Sequence, residues 1–295
     1  MYKIVVVGAD GQVGRELQHS LRPLGELHLL NRHCLDLSQP DTIAGVLGPL
    51  QPHIIVNAAA YTAVDKAESE PDLARTINAV APAQLAKVAR SLDAQLMHIS
   101  TDYVFDGTKG SPYLPSDPTH PTSVYGQSKR DGEREIQANC DRHWILRTAW
   151  VYGSYGKSNF VKTMLRLGAE RAEVKVVADQ IGSPTWASSI AETIAALIRT
   201  LEGQPAPSGI YHFTNSGVAS WYDFAIAIFE EARCLGIPLK IEQVLPISTA
   251  DYPTPAKRPH YSVLSLQDIT PVLGQPPLHW RSALRLMLKE YQALM

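Results

Sequence analysis

Residues 3–14 read KIVVVGADGQVG, and the reading of this stretch decides the fold. Ile4, Val5, Val6 and Val7 form a short, uninterrupted apolar run, the pattern of a strand buried on both faces as in a parallel sheet. The run opens directly onto glycines at 8, 11 and 14, spaced by three. Glycines so placed serve a tight turn, close approach of backbone to a pyrophosphate, and contact between the next helix and the strand. The free N–H groups at the start of that helix then face the phosphates. Turns after strands are often glycine-rich, so the pattern alone is weak. Its position at the first strand-to-helix junction gives it weight.

Working outward, the same alternation recurs. ELHLLN (26–31), HIIVNAA (53–59), LMHIS (96–100) and WILRTAWVYG (144–153) read as further buried strands. Between them, residues 11–24, 41–50, 71–92 and 123–139 repeat apolar positions every three to four residues, as helices packed on one side do. Strands and helices alternating at this length predict right-handed crossovers and an α/β, doubly wound parallel sheet covered on both faces. After residue 153 the spacing predicts helices near 157–169 and 186–201, strands at 173–178 and 209–214, a helix capped by Ser220, and a last helix over 281–293. The expected division is a dinucleotide-binding domain of residues 1–152, with 186–215 returning to it. A smaller C-terminal α/β substrate lobe takes 153–185 and 216–295.

The composition excludes some classes of function. With 45% apolar and 19% charged residues and a net charge of −2, the chain reads as globular, with no electrostatic reason for a nucleic-acid partner. No apolar run approaches the roughly 20 residues that cross a bilayer. Three scattered cysteines, Cys34, Cys140 and Cys234, suggest neither a disulfide framework nor a metal cluster. The apolar run begins too early to leave room for a signal peptide. The expectation is a cytoplasmic protein without a membrane partner.

The candidate chemistry lies at the strand ends. In HISTDYVFDG (98–107), Ser100, Thr101 and Asp102 fall at the carboxyl end of the fourth strand, where open parallel sheets bind ligands. Ala58 to Ala60, after the third strand, are small enough to admit a flat cofactor. In SVYGQSKR (123–130), Tyr125 and Lys129 stand one helical turn apart, on one face. A free phenol titrates near 10 and is a sluggish acid at neutral pH; a neighbouring ammonium lowers that value. The expectation is therefore that Lys129 tunes Tyr125 for proton transfer and also holds a nicotinamide ribose, with Thr101 orienting the reacting oxygen. At the end of the second strand Asn31 and Arg32 replace the usual acid, which favours NADPH over NADH, while Asp36 could lie near the adenine.

In this order, the spaced glycines, the NAAA segment, the strand-four hydroxyl and Tyr125-x-x-x-Lys129 resemble the short-chain dehydrogenase/reductase superfamily, with its Rossmann-like sheet. The motifs GQVGREL, VNAAAYTAVDKAESEP, STDYVFDG, VYGQSK, RTAWVYG, DQIGSPT and YPTPAKRPHYS further resemble the dTDP-4-dehydrorhamnose reductase family across nearly the whole chain. That resemblance implies reduction of the C4 ketone of dTDP-4-dehydro-L-rhamnose, with hydride from nicotinamide and a proton from Tyr125. It implies Gly11, Gln12 and Val13 over the pyrophosphate, Ala59, Ala60 and Tyr61 beside the cofactor, and Asn31, Asp36 and Leu37 on the adenosine side. It also implies Thr101, Asp102 and Tyr103 at the substrate, Trp150 against the sugar, and Arg258 closing the nucleotide-sugar pocket. Some relatives hold magnesium through acids at a dimer contact. Glu16 and Glu290 suit that pattern, but Ser188 and Ser189 stand where relatives can be acidic, and the expectation is no metal. The chain is expected to act as a monomer or homodimer. Two rival readings are a non-catalytic NADP-binding regulatory subunit of the same fold, and a nucleotide-sugar epimerase or dehydratase.

Overall fold

The structure, a computed structural model, describes residues 1–294. A six-stranded sheet is built from β1 (Tyr2–Val7), β2 (Gly25–Leu30), β3 (Ile54–Asn57), β4 (Gln95–Thr101), β5 (His143–Thr148) and β6 (Gly209–His212). Its order is β2-β1-β3-β4-β5-β6, and every pair is parallel. Within β1 the side chains alternate between two cores: Ile4 and Val6 face one, Val5 and Val7 the other, and all four are fully buried. Each contributes about 1.5–3 kcal/mol by leaving water. The strand order reverses beside β1, which opens a crevice at the carboxyl ends.

On one face lie α1 (Gln12–Leu21) and α6 (Ala187–Arg199), which pack on each other through Leu17, Leu21, Ile190 and Ile194. On the other lie α2 (Ile43–Leu47), α3 (Ala81–Ser91) and α4 (Val124–Asn139). The chain thus leaves the sheet after β5 and returns for α6 and the edge strand β6. A separate core gathers α5 (Phe160–Glu170), α7 (Trp221–Cys234) and α8 (Trp280–Ala293) around Val161, Phe224, Phe229 and Met287. Ser220 caps α7 as the sequence predicts, and Asp223 completes a capping box by accepting from the Ser220 N–H at 2.9 Å.

Three elements depart from the sequence pattern. The helix expected over 71–92 is Pro71–Arg75, a wide π turn at Thr76–Val80, then α3. Pro82 has no N–H for the carbonyl four residues back, and the wide turn falls there. The stretch 41–50 yields only the short α2, which stops at Gly48 before Pro49. The run 144–153 is not one strand: β5 ends at Thr148, Trp150 takes a left-handed φ of 48°, and Val151–Tyr152 pairs instead with Thr185–Trp186. Among the described residues no helix is long and apolar enough to cross a membrane.

Candidate active site

The carboxyl ends of the strands open on a cleft of about 1050 Å³, at the top of the range for small-molecule sites. Its floor at one end is the glycine turn. Gly8 has φ +81°, and a Cβ there would lie 2.8 Å from Ala59. A Cβ on Gly14 would lie 2.1 Å from the Gly8 carbonyl, so α1 meets the turn only because residue 14 has none. Gly14 therefore lies beneath the cleft, while Gly8, Gly11, Gln12 and Val13 line it. This cradle, with α1 starting immediately after Gly11, fits a dinucleotide pyrophosphate.

Asn31, Arg32, Asp36 and Leu37 line one end of the cleft. Asn31 Oδ1 accepts from the backbone of His33 and Cys34 at 3.0 and 3.2 Å, which shapes the turn after β2. The Ser38 backbone N–H holds the Asp36 carboxyl below its usual range, with Arg32 adding its charge. The Arg32 guanidinium is 77% exposed and pairs with Asp36 at 3.4 Å. Ala59 and Ala60 also line the cleft, Ala59 against Gly8. Tyr61 does not line the cleft: its hydroxyl donates to Glu70 at 2.7 Å and its backbone is tied to Asn78.

At the centre, Thr101, Asp102, Tyr103, Tyr125, Lys129 and Trp150 come together. Ser123 caps α4 by accepting from the Gly126 N–H at 3.2 Å, which sets Tyr125 in the first turn. Tyr125 stands edge-to-face on Tyr103, with centroids 5.5 Å apart at 76°. Thr101 ends β4, donates to Asp102 at 3.1 Å, and accepts from the Tyr103 N–H at 3.2 Å. Burial pushes the Asp102 carboxyl up to about 6 against the hydroxyls of Ser262 and Thr101.

One expectation is corrected here. Burial pushes the Tyr125 phenol up to about 12, with the Thr101 hydroxyl opposing and the Asp102 charge adding. The Lys129 amine does not draw it down. Its Nζ is turned to β4, 2.6 Å from the Ile99 carbonyl and 3.0 Å from His98 Nε2, and burial lowers it to about 8. Desolvation in this apolar floor outweighs the charge effect read from the four-residue spacing.

The lobe closes the other side. Trp150 stacks on Trp221, centroids 3.6 Å apart and planes 5° apart, so Trp221 backs the cleft wall. Arg258 is not in the wall. It pairs with Asp65 through both carboxylate oxygens, at 3.0 and 2.7 Å, which fastens the 252–262 segment to the sheet domain. Asn159, which sequence reasoning passed over, caps α5 and donates to Gln12 Oε1 at 2.7 Å, joining the lobe to the phosphate loop. His98, Asn57 and Asn78 were likewise missed. A polar residue inside a strand buried on both faces was the available signal for the first two.

Glu16 is 5% exposed, and its carboxyl is raised to about 7 by burial, then by the charge of Glu290, against the Ser188 hydroxyl. Glu290 accepts from Ser154 at 2.6 Å. Two carboxylates and a hydroxyl within one chain fall short of the oxygen set of a hard cation, and among the described residues no group of three or more His, Cys, Asp or Glu side chains gathers for a metal.

The family described as the RmlD substrate binding domain matches residues 2–293. The chain is 45% identical over 291 residues to the dTDP-4-dehydrorhamnose reductase of Escherichia coli K12, covering 97% of each. It is 45% identical over 295 residues to that of Burkholderia thailandensis, covering 98% of each. A crystal structure of dTDP-4-dehydrorhamnose reductase from Bacillus anthracis in complex with NADP matches with a TM-score of 0.90 at 38% identity, covering 98% of this chain and 99% of that one.

Proposed function

The chain belongs to the dTDP-4-dehydrorhamnose reductase family, and on that premise we propose that it reduces the C4 ketone of dTDP-4-dehydro-L-rhamnose to dTDP-L-rhamnose with a nicotinamide dinucleotide. One observation carries the reading: Thr101 and Tyr125 share the cleft floor beside a buried Lys129.

The glycine turn and the start of α1 would hold the pyrophosphate, Asn31 to Leu37 the adenosine, and Ala59 and Ala60 the flat face. When bound, the reduced nicotinamide supplies the hydride. A phenol near 12 stays protonated at neutral pH, the state a proton donor needs. Tyr125 gives that proton to the oxygen developing charge at C4, and Thr101 orients this oxygen by turning its hydroxyl proton to it from Asp102. Lys129 is assigned to the nicotinamide ribose, Asp102 and Tyr103 to the sugar, and Trp150, held by Trp221, to the exclusion of water from one side. Arg32, exposed and without a carboxylate at position 31, supports a preference for NADPH.

The test is loss of the NADPH absorbance band on adding the dTDP-ketosugar, repeated with NADH. Consumption matched by alcohol product supports the reading. Cofactor binding without turnover would leave a binding module, and conversion without net consumption would indicate an epimerase or dehydratase. Light scattering of the same preparation separates monomer from homodimer.

A further inference from the structure

His98 sits on β4 among Leu96, Met97 and Ile99 and is 1% exposed. Both of its ring nitrogens are engaged: Nδ1 lies 3.0 Å from Asn57 Nδ2, and Nε2 lies 3.0 Å from Lys129 Nζ. Two backbone groups fix where the protons are. The Ala59 N–H can only donate, so the Asn57 atom 3.1 Å from it is the amide oxygen. The Asn57 NH2 then faces His98 Nδ1, which must accept. A neutral imidazole has one ring proton, so it sits on Nε2 and points at Lys129.

Lys129 must therefore offer a lone pair to His98 while donating to the Ile99 carbonyl at 2.6 Å. An ammonium has no lone pair to offer. When Lys129 gains a proton, His98 must move its own to Nδ1, where the Asn57 NH2 opposes it. Turning the Asn57 amide relieves that conflict and strips the Ala59 N–H of its acceptor.

We infer that His98 is a positioning residue of this site: with Asn57 it fixes Lys129 Nζ, opposes the amine's protonation, and ties the charge of Lys129 to the Ala59 N–H at the cofactor wall. The inference rests on the role proposed above for Lys129. The groups facing that amine agree with it. Burial brings Lys129 down to about 8 while the Glu133 charge opposes. Glu133 itself is engaged by Arg147 at 2.7 Å and by Ser100 at 2.5 Å. Burial and then Lys129 hold His98 well below its ordinary value. Tyr125, one turn back on α4, is kept neutral by burial, and Asp102 lies beyond it.

The first readout needs no substrate. In protein labelled with ¹⁵N-histidine, and with the resonance identified by its loss in His98→Gln, His98 should stay neutral throughout, with its proton on Nε2 where Lys129 is uncharged and passing to Nδ1 as pH falls through about 8. The second is kinetic. The side-chain carbonyl of His98→Gln can accept from an ammonium with no demand on Asn57, so the basic limb of the kcat/KM profile should move up by about one pH unit. His98→Leu should lose about tenfold or more in kcat, and His98→Gln should restore most of it. A tautomer that does not change as Lys129 titrates, charging of His98 near its ordinary value, or a His98→Gln profile superimposable on wild type overturns the inference. Absence of turnover by the wild type overturns the proposed function instead, and the tautomer then decides the inference alone.

Discussion

Replacing Tyr125 with Phe removes one hydroxyl and leaves the ring. The ring keeps its edge-to-face contact with Tyr103 and its packing against Ala67 and Ala74. Thr101 still donates to Asp102 and accepts from Tyr103, so no buried partner is orphaned and stability should change by less than about 1 kcal/mol. Turnover should fall by about 10²–10⁴-fold, the contribution of a positioned proton donor. That is about 2.7–5.5 kcal/mol of barrier, at roughly 1.4 kcal/mol per factor of ten. The assay is NADPH consumption at saturating ketosugar, beside a fluorescence titration of cofactor that should barely change. The pH profile adds a second check. The donor is the protonated phenol, lost only as pH rises through about 12. A basic limb below that therefore belongs to Lys129, whose charged form is present below about 8 and lost as pH rises through it. Residual activity of the Phe variant should keep this limb. A Phe variant retaining more than about a tenth of wild-type kcat would refute the assignment of the donor.

Other substitutions test the surrounding parts. Arg32→Ala should lower the NADPH:NADH ratio of specificity constants by about tenfold, since an exposed guanidinium loses one charge-assisted phosphate contact; an unchanged ratio ends that assignment. Gly14→Ala places a methyl 2.1 Å from the Gly8 carbonyl, backbone against backbone. It should destabilise the protein by about 1–3 kcal/mol in urea and weaken cofactor binding, whereas wild-type values for both would contradict the helix-to-turn contact. Arg147→Met leaves Glu133, 2% exposed, as a buried charge without its partner. A loss of about 3–5 kcal/mol is expected, and a loss below about 1 kcal/mol would mean the pair is solvated.

The alternation of buried strands with one-sided helices, the glycine turn and the Tyr125–Lys129 spacing could all be read along the chain, because each is a local pattern with a fixed period. The same holds for Ser220 at the start of α7. Positions set outside the repeating local period could not be read this way. Arg258 was expected at the nucleotide-sugar pocket and instead grips Asp65, a partner 193 residues away. Tyr61 turns to Glu70, and the break at Trp150 came from a left-handed residue that no period announces.

By itself the sequence determined which residues share a helix face or a strand end, and hence that a phenol, an amine and a hydroxyl meet at the mouth of a parallel sheet. Tertiary structure alone decided the protonation of those groups. The value of a buried titratable group is set by what surrounds it in space: His98 reaches Lys129 from β4, and Ala67, Ala74 and Tyr103 pack on Tyr125 from other parts of the chain. Spacing along α4 predicted a phenol made more acidic by its neighbour; burial produced one that holds its proton more tightly.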